Sequence, residues 1–181
     1  MKLPLTYIFI VVIIMFSCSA SKHVTDEQKR AMEMLLESRQ FKIESNWAYP
    51  QVTNAVQQVM NSGLLQPGSN SSGINLIGNI NFLKLSNDSI SSYLPFFGER
   101  TMLAGYGSND DGVIKLEGVI KNYKSTHNKD GSYSINFDAK DGIEGYNVFL
   151  RVFPNQKTDL LLNGSFRLPI RYSGIIKTVA E

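Results

Sequence analysis

The chain has 181 residues, 43% of them hydrophobic and 19% charged, which is enough for one hydrophobic core, too little for two, and excludes a disordered or low-complexity protein. The formal net charge is +2 with both signs scattered along the chain, so the concentrated basic patch that a nucleic-acid partner needs is missing. A single cysteine excludes an internal disulfide and any thiolate metal cluster.

Met1 and Lys2 form a short positive start, and Leu5 to Phe16, broken only by Thr6, is apolar over the length of a secretory h-region and short of a membrane span. Residues 1–17 are therefore expected to be a signal peptide; its removal takes away one Lys and no acid and leaves a charge of +1. Met15-Phe16-Ser17-Cys18 resembles a loose lipobox, with a large apolar residue at minus three and a small one directly before the only cysteine. Lipidation explains the lone thiol of an exported chain. Three acyl chains of palmitate type on Cys18, at ~0.8 kcal/mol per buried methylene, hold the protein permanently on a membrane. The alternative is cleavage after Ala20, which leaves a soluble periplasmic or secreted chain without cysteine. Residues 18–25 form a tether that reaches about 25 Å when fully extended. Ser19, Ala20, Ser21 and Lys22 carry no acidic residue, which resembles bacterial lipoproteins sorted to the periplasmic side of the outer membrane.

Thr25 with Gln28 three residues on, acidic Asp26 and Glu27 in the first turn, and an apolar stripe of Ala31, Met32, Met34, Leu35 and Leu36 predict one amphipathic helix over 26–39. From Phe41 the period changes to two, with Ile43, Trp47 and Tyr49 continuing one face, and this is the first strand. Strands are also expected over 74–77, 82–86, 89–95, 113–122, 132–138, 145–153, 158–163 and 166–176. Turn chemistry at Asn87-Asp88, Asp130-Gly131, Asp141-Gly142, Pro154-Asn155 and Asn163-Gly164 makes the topology antiparallel. Tyr146 to Phe153 is apolar on both faces, which suggests a strand covered by the helix or a long loop. The fold class is mainly β: residues 26–181 are a single domain, an antiparallel lipocalin-like barrel of about eight to ten strands with one N-terminal helix, and a two-sheet sandwich is the alternative.

Two stretches carry a family resemblance. Leu94-Pro95-Phe96-Phe97-Gly98-Glu99-Arg100 looks like the Leu-Pro-Tyr-Phe-Gly motif of the bacterial domain-of-unknown-function family number 4251, and Arg167-Leu168-Pro169-Ile170-Arg171-Tyr172-Ser173-Gly174 resembles its C-terminal motif. Ile74-Asn75-Leu76-Ile77-Gly78, Tyr106 in its glycine loop and the N-terminal signal are similar too. Phe96 stands where that family usually has Tyr, and Leu168 where it has Ser, so a hydroxyl is missing at each. The resemblance implies a lipocalin-like barrel in an envelope protein typical of Bacteroidetes, with no activity assigned.

The chemistry available is sparse. The histidines are His23 in the tether and His127 beside a hairpin turn, and neither has triad or metal-ligand spacing. Asn109-Asp110-Asp111-Gly112 lacks the closing Glu of a calcium loop, and Gly105-Tyr106-Gly107 lacks the third glycine of a dinucleotide site, so no metal or cofactor is expected. Glu99, Glu117, Asp138, Glu144 and Asp159 are read as solvated strand-face charges, with convergence inside a barrel as the catalytic alternative. The long segment 98–112, holding Glu99, Arg100, Met102, Leu103 and Tyr106, suits a lid hinged at Phe96 and Phe97. Arg167 and Arg171 are expected on one strand face, pairing with Glu99 or meeting an anionic ligand. Asp88-Ser89-Ile90 resembles an O-glycan acceptor, with Ser89 carrying the sugar.

The first functional reading is a non-catalytic protein, held on the membrane through Cys18, that binds a small amphipathic ligand or a peptide around Phe96, Phe97, Glu99, Arg100, Tyr106, Arg167 and Arg171. An envelope assembly or scaffold partner with a filled barrel is the second reading, and a cell-wall hydrolase the third.

Overall fold

The structure is a computed structural model that describes residues 25–63, 65–70, 72–101 and 112–179. The expected signal peptide, Cys18, and Met102, Leu103 and Tyr106 of the long loop lie outside the described residues.

Helix α1 (Asp26–Glu37) starts at the capping pattern. Gln28 donates its backbone N–H to Thr25 Oγ1 at 3.3 Å, and Thr25 donates its own to the Gln28 side-chain oxygen at 3.1 Å. The helix ends two residues earlier than expected, because Arg39 takes a left-handed φ of 50°. Of the apolar stripe, Met32 and Leu36 are buried and Leu35 packs partly against the core. Met34 is 64% exposed, since the helix rests on the sheet along one i, i+4 row.

Eleven strands follow among the described residues: β1 (Gln40–Pro50), β2 (Ile74–Asn75), β3 (Phe82–Ser86), β4 (Ser89–Pro95), β5 (Val113–Ile114), β6 (Glu117–Val119), β7 (Lys121–His127), β8 (Tyr133–Asp141), β9 (Glu144–Val152), β10 (Lys157–Gly164) and β11 (Ile170–Thr178). A second helix, α2 (Asn54–Asn61), lies between β1 and β2, where the sequence pattern raised no element. All ladders are antiparallel, in the order β5-β4-β3-β1-β11-β10-β9-β8-β7, with β2 also on β1 and β6 also on β4.

The expected strand 113–122 is broken into three, at Lys115 and Leu116 and again at Ile120, and Asn122 (φ 55°) bulges the start of β7. That break governs the architecture. β5 and β6 pair with β4 at one end of the sheet, and β7, one residue further along the same run, pairs with β8 at the other. The sheet therefore curls round until one stretch of chain serves both ends, but among the described residues no ladder joins β4 or β6 to β8. It is a curled open sheet, short of the continuous barrel expected.

The inner face is filled. Phe41, Ile43, Leu83, Leu85, Leu94, Ile135, Phe137, Leu150 and Tyr172 are all fully buried, each of the large apolar side chains contributing about 1.5–3 kcal/mol of transfer free energy. β9 alternates, contrary to the two-faced reading: Tyr146, Val148, Leu150 and Val152 point inward, while Phe149 is outward and 37% exposed. β11 begins at Ile170, later than expected, because Pro169 has no N–H to give a ladder. Gly164 belongs to β10 and the turn falls at Ser165 and Phe166.

β1 contains a bulge that the sequence does not announce. Asn46 is the extra residue between Ser45, which faces Gly174, and Trp47, which faces Ser173. On its other edge β1 pairs with β3 up to Ile43 and with β2 from Trp47, and the gap is closed by a side chain. Asn81, itself buried, accepts from Ser45 N–H at 2.7 Å and donates to Ser45 C=O at 2.9 Å, as a neighbouring strand would. Across the bulge Gly174 has no room for a side chain: a Cβ there would stand 2.0 Å from the Glu44 carbonyl oxygen. Asn81→Ala leaves two buried backbone groups without partners and is expected to lower the unfolding free energy by about 3 kcal/mol, read as a shift of the urea midpoint.

Candidate functional site

The two motifs meet in space. Residues 99–101 run antiparallel to 166–168: Thr101 N–H donates to the Phe166 carbonyl at 2.8 Å, and Leu168 N–H to the Glu99 carbonyl at 3.1 Å. The buried Tyr172 hydroxyl donates to the Pro95 carbonyl at 2.8 Å. Gly98 turns so tightly on Phe96 that a Cβ would stand 2.8 Å from the ring.

At the centre of this junction lies Glu144, the first residue of β9, 3% exposed. Its carboxylate accepts from Arg167 Nε at 3.2 Å, from Phe166 N–H at 3.1 Å and from Arg100 Nη2 at 3.5 Å. Arg167, 6% exposed, also donates to the Val113 carbonyl at 3.4 Å, and its guanidinium stands 5.0 Å from the centre of the Phe96 ring. Burying a carboxylate and a guanidinium costs several kcal/mol each, and only a set of good partners such as this offsets it. Gly164 makes room for the carboxylate, since a Cβ there would lie 2.6 Å from Glu144 Oε1. Burial pushes the Tyr146 hydroxyl well above its ordinary value, opposed by Arg167 and reinforced by Glu144. Tyr172 is raised in the same way, by burial first and then by Tyr146, with Arg167 opposing.

Phe96 has a second side. With Phe97, Gly98 and Glu99 it forms one wall of an apolar cleft of about 270 Å³, whose other wall is α2, through Val56, Val59 and Met60. The helix is placed by Thr53, whose hydroxyl accepts from Val56 N–H at 3.3 Å, and Val59 is 48% exposed at the rim.

The ligand-site candidates thus divide. Phe96, Phe97 and Glu99 line the cleft. Arg100 and Arg167 belong to the buried junction, Tyr106 lies outside the described residues, and Arg171 is exposed on the outer face with its guanidinium 4.6 Å from the centre of the Tyr49 ring. Arg167 and Arg171 do not share a face, because Arg167 precedes the strand in the turn region, and the partner of Arg167 is Glu144 instead of Glu99. Of the five carboxylates, Glu144 is the buried one. Glu99 and Glu117 are exposed, and Asp138 and Asp159 are half-buried on outward positions of β8 and β10, so the five do not converge. Asp138 is held below the usual carboxylate range by hydrogen bonds from Asn122 and Asn147. His127 is exposed and stacks on Tyr133 at 4.5 Å. Ser89 is exposed beside the Asn87-Asp88 turn. α2 had a usable signal, Thr53 followed by Val56, Val59 and Met60 at helical spacing. The burial of Glu144 had none.

A family model described as domain of unknown function DUF4251 matches residues 23–176. The chain belongs to that family. A crystal structure of a DUF4251 family protein from Bacteroides eggerthii superposes with a TM-score of 0.55 at 13% identity, covering 84% of this chain and 88% of that one, which is a likeness of fold. No curated protein matches the chain. The DUF4251 span takes in both motifs, Glu144 and α2, and so the whole junction and its cleft.

Two outcomes follow from the junction of this DUF4251 domain. Glu144→Leu strands Arg167 in the interior and is expected to cost about 3–4 kcal/mol; the double variant with Arg167→Met should lose less than the sum of the two single variants, which a urea-denaturation cycle measures. Tyr146 and Tyr172 stay neutral in the folded chain, whereas in the unfolded chain they ionise near pH 10. Their contribution to stability is fully present below that pH and is lost as pH rises toward the folded-state values. Tyr146→Phe should flatten the fall of the urea midpoint in that alkaline range.

Proposed function

We propose that the chain is a lipid-anchored envelope protein, held through Cys18 on the periplasmic side of the outer membrane, whose domain binds a small amphipathic ligand or the side chains of a peptide without catalysing a reaction. The observation that carries this reading is the cleft between α2 and Phe96–Glu99. Its walls are apolar, one acidic group stands among them at Glu99, and its volume lies near the lower end of ligand sites, which suits one short apolar group with a hydrogen-bond donor or cation meeting Glu99. The buried carboxylate of Glu144 is already satisfied by Arg100, Arg167 and Phe166 N–H, which supports binding over catalysis. The filled inner face favours an envelope assembly partner as a second reading, with Ile77 and Ile80 exposed in one loop by 62% and 79% as its contact.

Mass spectrometry of the protein from its native membrane tests both parts. Under denaturing conditions a chain starting at Cys18 and carrying lipid is expected, and a lipid-free chain starting after Ala20 overturns the anchor; the same spectrum shows any glycan on Ser89. Under native conditions a retained small mass is expected, and Val59→Glu, at an exposed helix position where stability changes stay within about 0.5 kcal/mol, should lose it. Retention unchanged in that variant overturns the cleft, and a bare chain with a co-purifying protein supports the assembly reading.

A further inference from the structure

The outer face of the sheet carries a second cleft, of about 480 Å³, over β1, β11, β10 and the β9–β10 turn. Trp47 and Phe153 line it together with Asn46, Lys157, Asp159 and Ser173. Trp47 is the only tryptophan of the chain, and the fold goes to some length to set it there. The extra residue Asn46 in β1 advances the register so that Trp47 faces Ser173 and, across it, Asp159; Asn81 locks the opposite edge of the bulged strand, and Gly174 gives it space.

Four of the polar groups around these rings are uncommitted. Among the described residues the indole N–H of Trp47, the carboxylate of Asp159, the ammonium of Lys157 and the side-chain amide of Asn46 make no hydrogen bond or ion pair within the protein, and no ring or cation stacks on Trp47. Lys157 and Asp159 lie two apart on β10 and so project from the same face.

From this arrangement we infer that the cleft is a carbohydrate-binding subsite, taking one or two pyranose rings of an oligosaccharide. The C–H face of a sugar ring offers partial positive charge and apolar surface to an aromatic face, while its hydroxyls are paired donors and acceptors at the ring edge. Trp47 supplies the first need, with the Phe153 ring, which carries the Arg151 guanidinium 5.0 Å from its centre, beside it. Asp159 accepts, and Lys157, Asn46 and the indole N–H donate, which answers the second. Other ligand classes fit less well. A phosphate-rich chain meets Asp159, and a lipid meets charges of both signs. A peptide cannot add as a strand, because β1, β11 and β10 are interior strands whose backbone groups are already paired.

Because Trp47 is the sole indole, its fluorescence reports this site alone. The full chain, purified in a zwitterionic detergent free of sugar, is titrated with cellotriose, mannotriose and the trimer of N-acetylglucosamine. A saturable change in emission with at least one of them is expected, with a Kd of about 1 mM as befits an open site. Asp159→Ala and Lys157→Met, both at solvent-facing positions with no partner to lose, should each weaken it tenfold or more while leaving the urea midpoint in place. Val59→Glu, in the other cleft, should leave it unchanged. No saturable change with any of the three sugars, or one that Asp159→Ala does not alter, overturns the proposal.

Discussion

The junction between the segment after β4 and the turn before β11 depends on one buried ion pair. Arg167 and Glu144 are both more than nine-tenths buried, and between them they touch β9, β5, the turn before β11 and the segment after β4. A salt bridge of this kind adds little net stability over apolar residues, but removing one member is severe, because the other is left charged in a low-dielectric interior. What the pair supplies here is a fixed meeting point. It selects the arrangement in which residues 99–101 lie along 166–168, and thereby sets where Phe96 and Phe97 stand.

That junction explains why the two family motifs look as they do. Pro95 offers a carbonyl to Tyr172, Phe96 offers its face to Arg167, Gly98 permits the close turn, and Gly174 permits the bulge of β1. These roles concern architecture more than chemistry. With the inner face filled by side chains, the two clefts lie at the surface, on different structural supports: one between a helix and the Phe96–Glu99 segment, the other on the outer face of three interior strands.

The curl of the sheet has a local cause. A straight strand over 113–127 would pair along one neighbour. The run leaves β4 and joins β8 at Ile120, and the bulge at Asn122 follows directly, so the two ends of the sheet are held by a continuous chain where, among the described residues, no ladder closes them.

Local signals were legible wherever the physics was local. The Thr25–Gln28 capping box, the strands 82–86 and 89–95 and the turns at Asn87 and Gly142 are written in periodicity and turn chemistry, and the structure has them at those residues. The mainly β class and the family were legible for the same reason, since alternation and short motifs survive in one dimension. Tertiary contact decided the rest. Glu144 reads like any surface acid until β9 is laid beside the turn at Phe166, and Arg167 reads like any surface cation until that carboxylate and the Val113 carbonyl enclose it. Asn81 becomes a substitute strand only when β2 and β3 leave a gap beside Ser45, and Trp47 turns outward only because that gap holds a bulge. Each of these depends on partners between about 20 and 130 residues away in the chain, and burial, pairing and space at such distances are set by the folded whole and not by neighbours in sequence.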